Sequence, residues 1–290
     1  MNESLPQLLK TLKDPDEAAL KPSILGHVST LVAGLGPKAP SSPTAGVPLI
    51  HTPPHSPLDP FRDDLLAAFA SGSRQPATRA ASLPGLVHLV EVPAFLTREE
   101  VSYSVSALND VLVAPDTDDE YDGALDGLVA IAELHPRVIE QSTLPLLFAL
   151  LPSGSAPARG TKESEAYRRA LEALASLCTH PDLFEILVLR ILSRLEGVCG
   201  IVLAEAEEHA TNGLYAHHLL ATVRAVIKTK VGKKHDDLSK YVDKFVARLY
   251  GMFVLPTTFD GGDKLVANDG RLIEDAAEVI KLVLQHAKPT

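Results

Sequence analysis

A helical unit returns in this chain after 45 residues, and no other feature limits the possible fold so strongly. The segment Leu134-His135-Pro136-Arg137-Val138-Ile139 is followed by Cys178-Thr179-His180-Pro181-Asp182-Leu183-Phe184. Shifting by 45 superposes His135-Pro136 on His180-Pro181, Val138 on Leu183, Leu146 on Ile191, Leu147 on Leu192 and Leu150 on Leu195. Upstream, Val129 falls on Leu174 and Ala132 on Leu177. In each copy, apolar residues at helical spacing flank a His-Pro turn.

Two helices and a turn repeating every ~40–47 residues is the period of HEAT and armadillo units. One such unit cannot bury its own apolar face, so units stack and present a long surface to other macromolecules. The expected fold is therefore all-α, an α-solenoid of HEAT/armadillo-like helical pairs, and the expected role is a binding scaffold. Composition agrees with this. The 290 residues are 46% hydrophobic but only 5% aromatic, without Trp, so the core must be aliphatic. That suits close helix packing and gives few faces on which bases could stack. The net charge of −10 argues against binding a phosphate backbone directly. The densest basic run, Lys228, Lys230, Lys233 and Lys234, runs into Asp236 and Asp237 and reads as a solvated turn between helices. Cys178 and Cys199 form no Cys-x-x-Cys pair, which points to a reducing compartment. Met1-Asn2-Glu3-Ser4 does not open a signal peptide, and the apolar run Leu144 to Leu151 is short for a bilayer and holds Pro145. A soluble intracellular protein without a membrane partner is expected.

Three regions are expected along the chain: a helical pair over 1–35, a Pro-rich mobile loop over 36–60, and a HEAT-like solenoid over 61–290. In the first, Leu5, Leu8, Leu9 and Leu12 form one stripe, and Leu20, Ile24, Leu25, Val28, Leu31 and Val32 form the next, ended by Gly34 and Gly36. Eight of the 22 prolines lie between Gly36 and Pro60, a density no helix survives. The same loop holds Ser42-Pro43, Thr52-Pro53 and Ser56-Pro57, the form of proline-directed phosphorylation sites. Further on, Thr97 and Glu100 fit a capping box, and the acidic run Asp116 to Glu120 favours the start of a helix. Long helices are expected at His217–Lys230, Leu238–Val254 and Leu272–Gln285, for about twelve in all.

No catalytic, cofactor-binding or metal-ligating residue can be named. His51 and His55 have the i, i+4 spacing of a zinc pair, but in Pro-rich coil that spacing does not place them on one face. His217 and His218 would point ~100° apart on a helix, one packed and one solvated. His135 and His180 read as turn residues, and Cys178 as a core filler. Asp260-Gly261-Gly262-Asp263 lacks the flanking ligands of a calcium loop and reads as a turn.

The stretch Thr143-Leu144-Pro145-Leu146-Leu147-Phe148-Ala149-Leu150-Leu151-Pro152 is followed by Tyr167 and by Ala170-Leu171-Glu172-Ala173-Leu174-Ala175-Ser176-Leu177-Cys178. Then come Pro181-Asp182-Leu183-Phe184-Glu185 and Leu187-Val188-Leu189-Arg190. In this order the segments resemble the HEAT-repeat adaptor family of cytosolic iron–sulfur protein assembly, known also for methyl-methanesulfonate sensitivity in DNA repair and transcription. Leu86 to Thr97 fits the unit upstream, and Tyr241 to Tyr250 the helix downstream. The likeness is best over Leu83 to Leu255 and strongest to fungal versions. It rests on packing residues in order and spacing. The resemblance implies a non-catalytic adaptor of nucleus and cytoplasm. Its partners would be subunits of the cluster-targeting complex and iron–sulfur clients such as helicases and polymerases. It implies no cofactor, since the family does not itself coordinate the cluster. It also implies that the chain matches an interior part of a longer solenoid, so no contact residue carries over.

Overall fold

A computed structural model describes residues 4–34, 56–200, 206–258 and 266–286. Within them the chain is helical throughout and contains no strand, the all-α, α-solenoid class that the period implies. The helices are α1 (Ser4–Lys13), α2 (Lys21–Ala33), α3 (Arg62–Ser73), α4 (Pro76–Glu91), α5 (Arg98–Val113) and α6 (Asp118–Leu134). They continue as α7 (Pro136–Ala149), α8 (Lys162–Leu177), α9 (Pro181–Cys199), α10 (Ala206–Gly232) and α11 (Gly270–His286). Prolines 37, 40, 43, 48, 53 and 54, Ser42-Pro43, Thr52-Pro53, His51, His55 and Asp260 to Asp263 lie outside the described residues. Ser56 is described, and its hydroxyl accepts the Leu58 N–H at 3.2 Å.

Contacts divide the chain into two compact units, Met1–Thr143 and Leu144–Thr290, with the division inside α7. In the first, α4 packs against α2, α3 and α6, and α6 packs against α5. The core is aliphatic, built on residues such as Val28, Leu65, Leu86, Leu108, Leu128 and Ile131 with Phe69 among them. In the second, α10 packs on α8, α9 and α11. That sandwiching explains its broad buried arc, Tyr215, Ala216, Leu219, Leu220, Val223, Val226 and Ile227.

Capping follows the sequence closely. Thr97 accepts the Glu100 N–H at 3.3 Å while Glu100 Oε2 accepts the Thr97 N–H at 2.7 Å, a complete capping box. Thr117 caps α6 and Thr161 caps α8 through the hydroxyl alone, accepting the Glu120 and Ser164 N–H groups at 3.3 and 3.1 Å. Between α4 and α5 the chain reverses through Ala94, at φ +56, in the left-handed region that non-glycine residues seldom enter. His180 is the cap of α9, its Nδ1 accepting the Asp182 N–H at 3.2 Å. Pro84 and Pro145 both stand inside helices, each on an exposed position where a missing backbone donor disturbs no buried contact.

Burial refines the repeat. The buried residues of α6 (Tyr121, Ala124, Leu125, Gly127, Leu128, Ile131) match those of α8 (Tyr167, Ala170, Leu171, Ala173, Leu174, Leu177) at a shift of 46, not 45. The 45-residue shift holds at the turn and into the next helix, where Val138, Ile139 and Leu147 match Leu183, Phe184 and Leu192. It pairs half-buried Val129, Leu146 and Leu150 with buried partners. The path across the turn accounts for the difference: Val138 follows Ile131 by seven positions, whereas Leu183 follows Leu177 by six. Helix α4 joins the series at a shift of 42, with Ser82, Leu83, Gly85, Leu86 and Leu89 falling on Ala124, Leu125, Gly127, Leu128 and Ile131.

The expected helix Leu238–Val254 is not regular. Residues 236–258 pass through 3-10, π, α, π and 3-10 turns in succession. Beyond Leu238, its buried residues are Tyr241, Phe245, Leu249 and Phe253, one every four positions. On a regular α-helix that spacing drifts by ~40° per step, so the wider π turns keep the aromatic rings on one face.

Candidate functional site

The polar side chains of the C-terminal unit are mostly tied to one another, and the exceptions mark what is left to act outward. Arg194, on α9, donates to the carbonyls of Phe148 at 2.9 Å and Pro152 at 2.6 Å. It thereby satisfies backbone acceptors at the end of α7 that have no intrahelical partner. The Tyr215 hydroxyl donates to the same Pro152 carbonyl at 2.8 Å. A polar ladder joins α10 to α11. His217 Nδ1 lies 2.5 Å from Asp275 Oδ2, Arg224 lies 2.6 Å from Glu278, and Lys228 lies 2.9 Å from the same carboxylate.

Two sequence expectations change here. The basic run is a solvated turn only in part: Lys233 and Lys234 are exposed in the turn after α10 and Lys228 is exposed on the helix, but Lys230 is completely buried. It pairs with Asp237 Oδ2 at 2.8 Å, donates to the Thr179 carbonyl at 3.3 Å and sits 4.8 Å from the Phe184 ring centre. A lysine at the inner edge of a long helix and an aspartate seven residues on close the turn from inside. Burial lowers the Lys230 pKa, opposed by the Asp237 pairing. Nor is one histidine packed and its neighbour solvated. Both are half-buried, and they serve different neighbours: His217 meets α11 through Asp275, and His218 Nδ1 lies 3.0 Å from the Tyr167 hydroxyl of α8.

The remaining reactive groups are inward. Cys178 and Cys199 are buried free thiols. Burial raises both, Cys199 to about 12, which disfavours the nucleophilic thiolate. Burial likewise raises Tyr167 and Tyr215. Among the described residues no group of three or more His, Cys, Asp or Glu could hold a metal ion, and no helix is long and apolar enough to cross a membrane.

What stays open is a cleft between α8 and α10, about 450 Å³ in volume. Leu171, Ala175, Ala221 and Ala225 give it an apolar lining, Tyr167 and His218 lie at its base, and Arg159, Arg168 and Glu172 stand along it. Burial lowers the pKa of His218, with His217 and Arg159 adding to the effect, so the ring is neutral at pH 7. Neither Arg159 nor Arg168 makes an ion pair among the described residues. Sequence reasoning passed over this cleft. The one available signal was a pair of alanines one turn apart, Ala221 and Ala225, and α10 carries further alanines at 206, 210 and 216 that dilute it.

Residues 170–290 match a family model described as RNAPII transcription regulator C-terminal, MMS19_C. The match thus covers α8 from its middle, α9, α10, the irregular segment and α11. No curated protein matches the chain. Among solved structures it is similar to an engineered protein at 14% identity and a TM-score of 0.40, over 97% of this chain and 96% of that one, too low a score to carry weight.

Proposed function

We propose, from the match of residues 170–290 to the MMS19 family's C-terminal model, that the chain is a non-catalytic adaptor of that family in cytosolic iron–sulfur protein assembly. In this reading it helps deliver clusters to apoproteins of DNA replication, repair and transcription, in nucleus and cytoplasm. Its partners are subunits of the cluster-targeting complex and iron–sulfur clients such as helicases and polymerases, and it touches neither nucleic acid nor membrane. The observation that carries the proposal is the family match itself, whose description names a transcription regulator. The ordered segments from Thr143 to Arg190 support the iron–sulfur part.

The helical architecture supports an adaptor in a different way. Stacked helix pairs offer extended surface, and in the C-terminal unit the buried Lys230–Asp237 pair and the part-exposed Arg224–Glu278 pair hold neighbouring segments together. Affinity purification of the tagged chain from cells, with mass spectrometry, should recover iron–sulfur targeting subunits or client helicases. Recovery of neither would sink the proposal. The repeat period alone also fits a general HEAT scaffold, of transport-receptor or phosphatase-scaffold type. Co-purification of a GTPase or a phosphatase core would favour that reading instead.

A further inference from the structure

We propose that the cleft between α8 and α10 receives an amphipathic helix of a partner protein, one whose aliphatic face is flanked by carboxylates. The inference rests on the adaptor reading for the existence of a partner, but on the cleft alone for its chemistry. Three observations carry it. First, the floor is largely apolar and built mostly of small residues, Ala175 on α8 and Ala221 and Ala225 on α10, with Leu171 beside them. Aliphatic side chains projecting from an added helix fill such space, as in helix-in-groove recognition. At about 450 Å³ the cleft is within the ~300–1,000 Å³ range of sites that bury a ligand group.

Second, charge fixes the partner's sign. The unit from Leu144 onward has eight arginines, and Arg169, Arg194, Arg224, Arg248 and Arg271 each hold a carboxylate or carbonyl partner. Of the remaining three, Arg159 and Arg168 both line this one cleft. Two guanidinium groups without an ion-pair partner among the described residues, beside an apolar floor, match carboxylates next to aliphatic side chains. The chain's net charge of −10 opposes an acidic partner at long range, but beyond ~8 Å that repulsion is screened at physiological salt, and contact charges decide. Third, Glu172 lies one turn beyond Arg168 on α8 and also lines the cleft. Charge is therefore unequal along the rim, positive at Arg159 and Arg168 and negative at Glu172, and the partner helix places its carboxylates at the arginine end.

The test uses the full chain and a fluorescent synthetic helix with leucines on one face and aspartates beside them, read by anisotropy. The structure predicts saturable binding, weakened about tenfold or more by Arg168→Glu and by Ala225→Glu. Both positions are exposed, and circular dichroism checks that each variant folds. A sister peptide with lysine in place of aspartate should bind Arg168→Glu better than the unaltered protein, a rescue that no folding defect produces. Equal binding of both peptides to the unaltered chain would overturn the proposal. So would unchanged affinity in both variants, competition by inorganic phosphate alone, or self-association through these residues in sedimentation. Absence of peptide binding alongside recovery of targeting subunits from cells would reject this site and leave the adaptor function standing.

Discussion

Lys230 shows at one residue how this protein spends its charge. Its ammonium is enclosed with the Asp237 carboxylate, the Thr179 carbonyl and the Phe184 ring. Removing one member of a buried pair strands the other, at a cost of roughly 3–5 kcal/mol. Lys230→Met should therefore lower the urea midpoint sharply, and Lys230→Met with Asp237→Leu should recover most of the loss. The sequence showed the cluster of lysines and the two aspartates after it, but not which lysine turns inward. That depends on the roll of α10 against α9, which packing sets. His218 supplies a pH test. Its folded pKa is lowered, so on acidification from about pH 6.5 the unfolded chain takes up a proton that the folded chain resists. Stability should fall through the window between that pH and the lower folded value, then level off with respect to this group. Asp269 and Glu278 are also lowered, Asp269 chiefly by Arg271 and Glu278 chiefly by Lys228, and they extend the loss at lower pH. His218→Gln should show a flatter decline than the unaltered protein between about pH 7 and pH 5 in urea titrations.

At the scale of helices, the repeat was legible because a turn dipeptide and the apolar spacing both return. Thr97 and Glu100 were legible for the same reason, since a cap is a local device. Thr97→Ala should cost about 1 kcal/mol. The shifts of 42 and 46 between buried faces were not legible, because the number of residues from one buried face to the next varies while the face itself stays constant. That face contains glycine at equivalent positions in α4 and α6. A Cβ on Gly85 would come within 2.1 Å of the Phe69 ring, and one on Gly127 within 2.7 Å of Val87 Cγ2, so close helix approach requires glycine at both. Gly123 faces only ordinary contact, with Leu83 Cδ1 at 3.6 Å. Gly85→Ala should destabilise by about 1–3 kcal/mol through overpacking, whereas Gly123→Ala should gain about 0.5–1 kcal/mol from helix propensity, both read by chemical denaturation. The four-residue spacing of Tyr241, Phe245, Leu249 and Phe253 was visible in the sequence. Its accommodation by π turns follows only once the aromatic rings must share one face.

For the whole molecule, the all-α class followed from the period and from an aliphatic composition without Trp, and the order of packing segments pointed to the family whose model matches residues 170–290. The cleft was hidden because it is defined by what is small, Ala175, Ala221 and Ala225, on two helices far apart in sequence. In the function proposed above, the chain is an adaptor that binds the cluster-targeting machinery. The most direct measurement is the affinity of the purified chain for a purified cluster-targeting complex, by biolayer interferometry at physiological salt. The account predicts saturable binding with Kd of about 1 μM or tighter, equivalent to some −8 kcal/mol or better. No saturable binding to that complex, with tight binding to a transport GTPase or a phosphatase core, would contradict it.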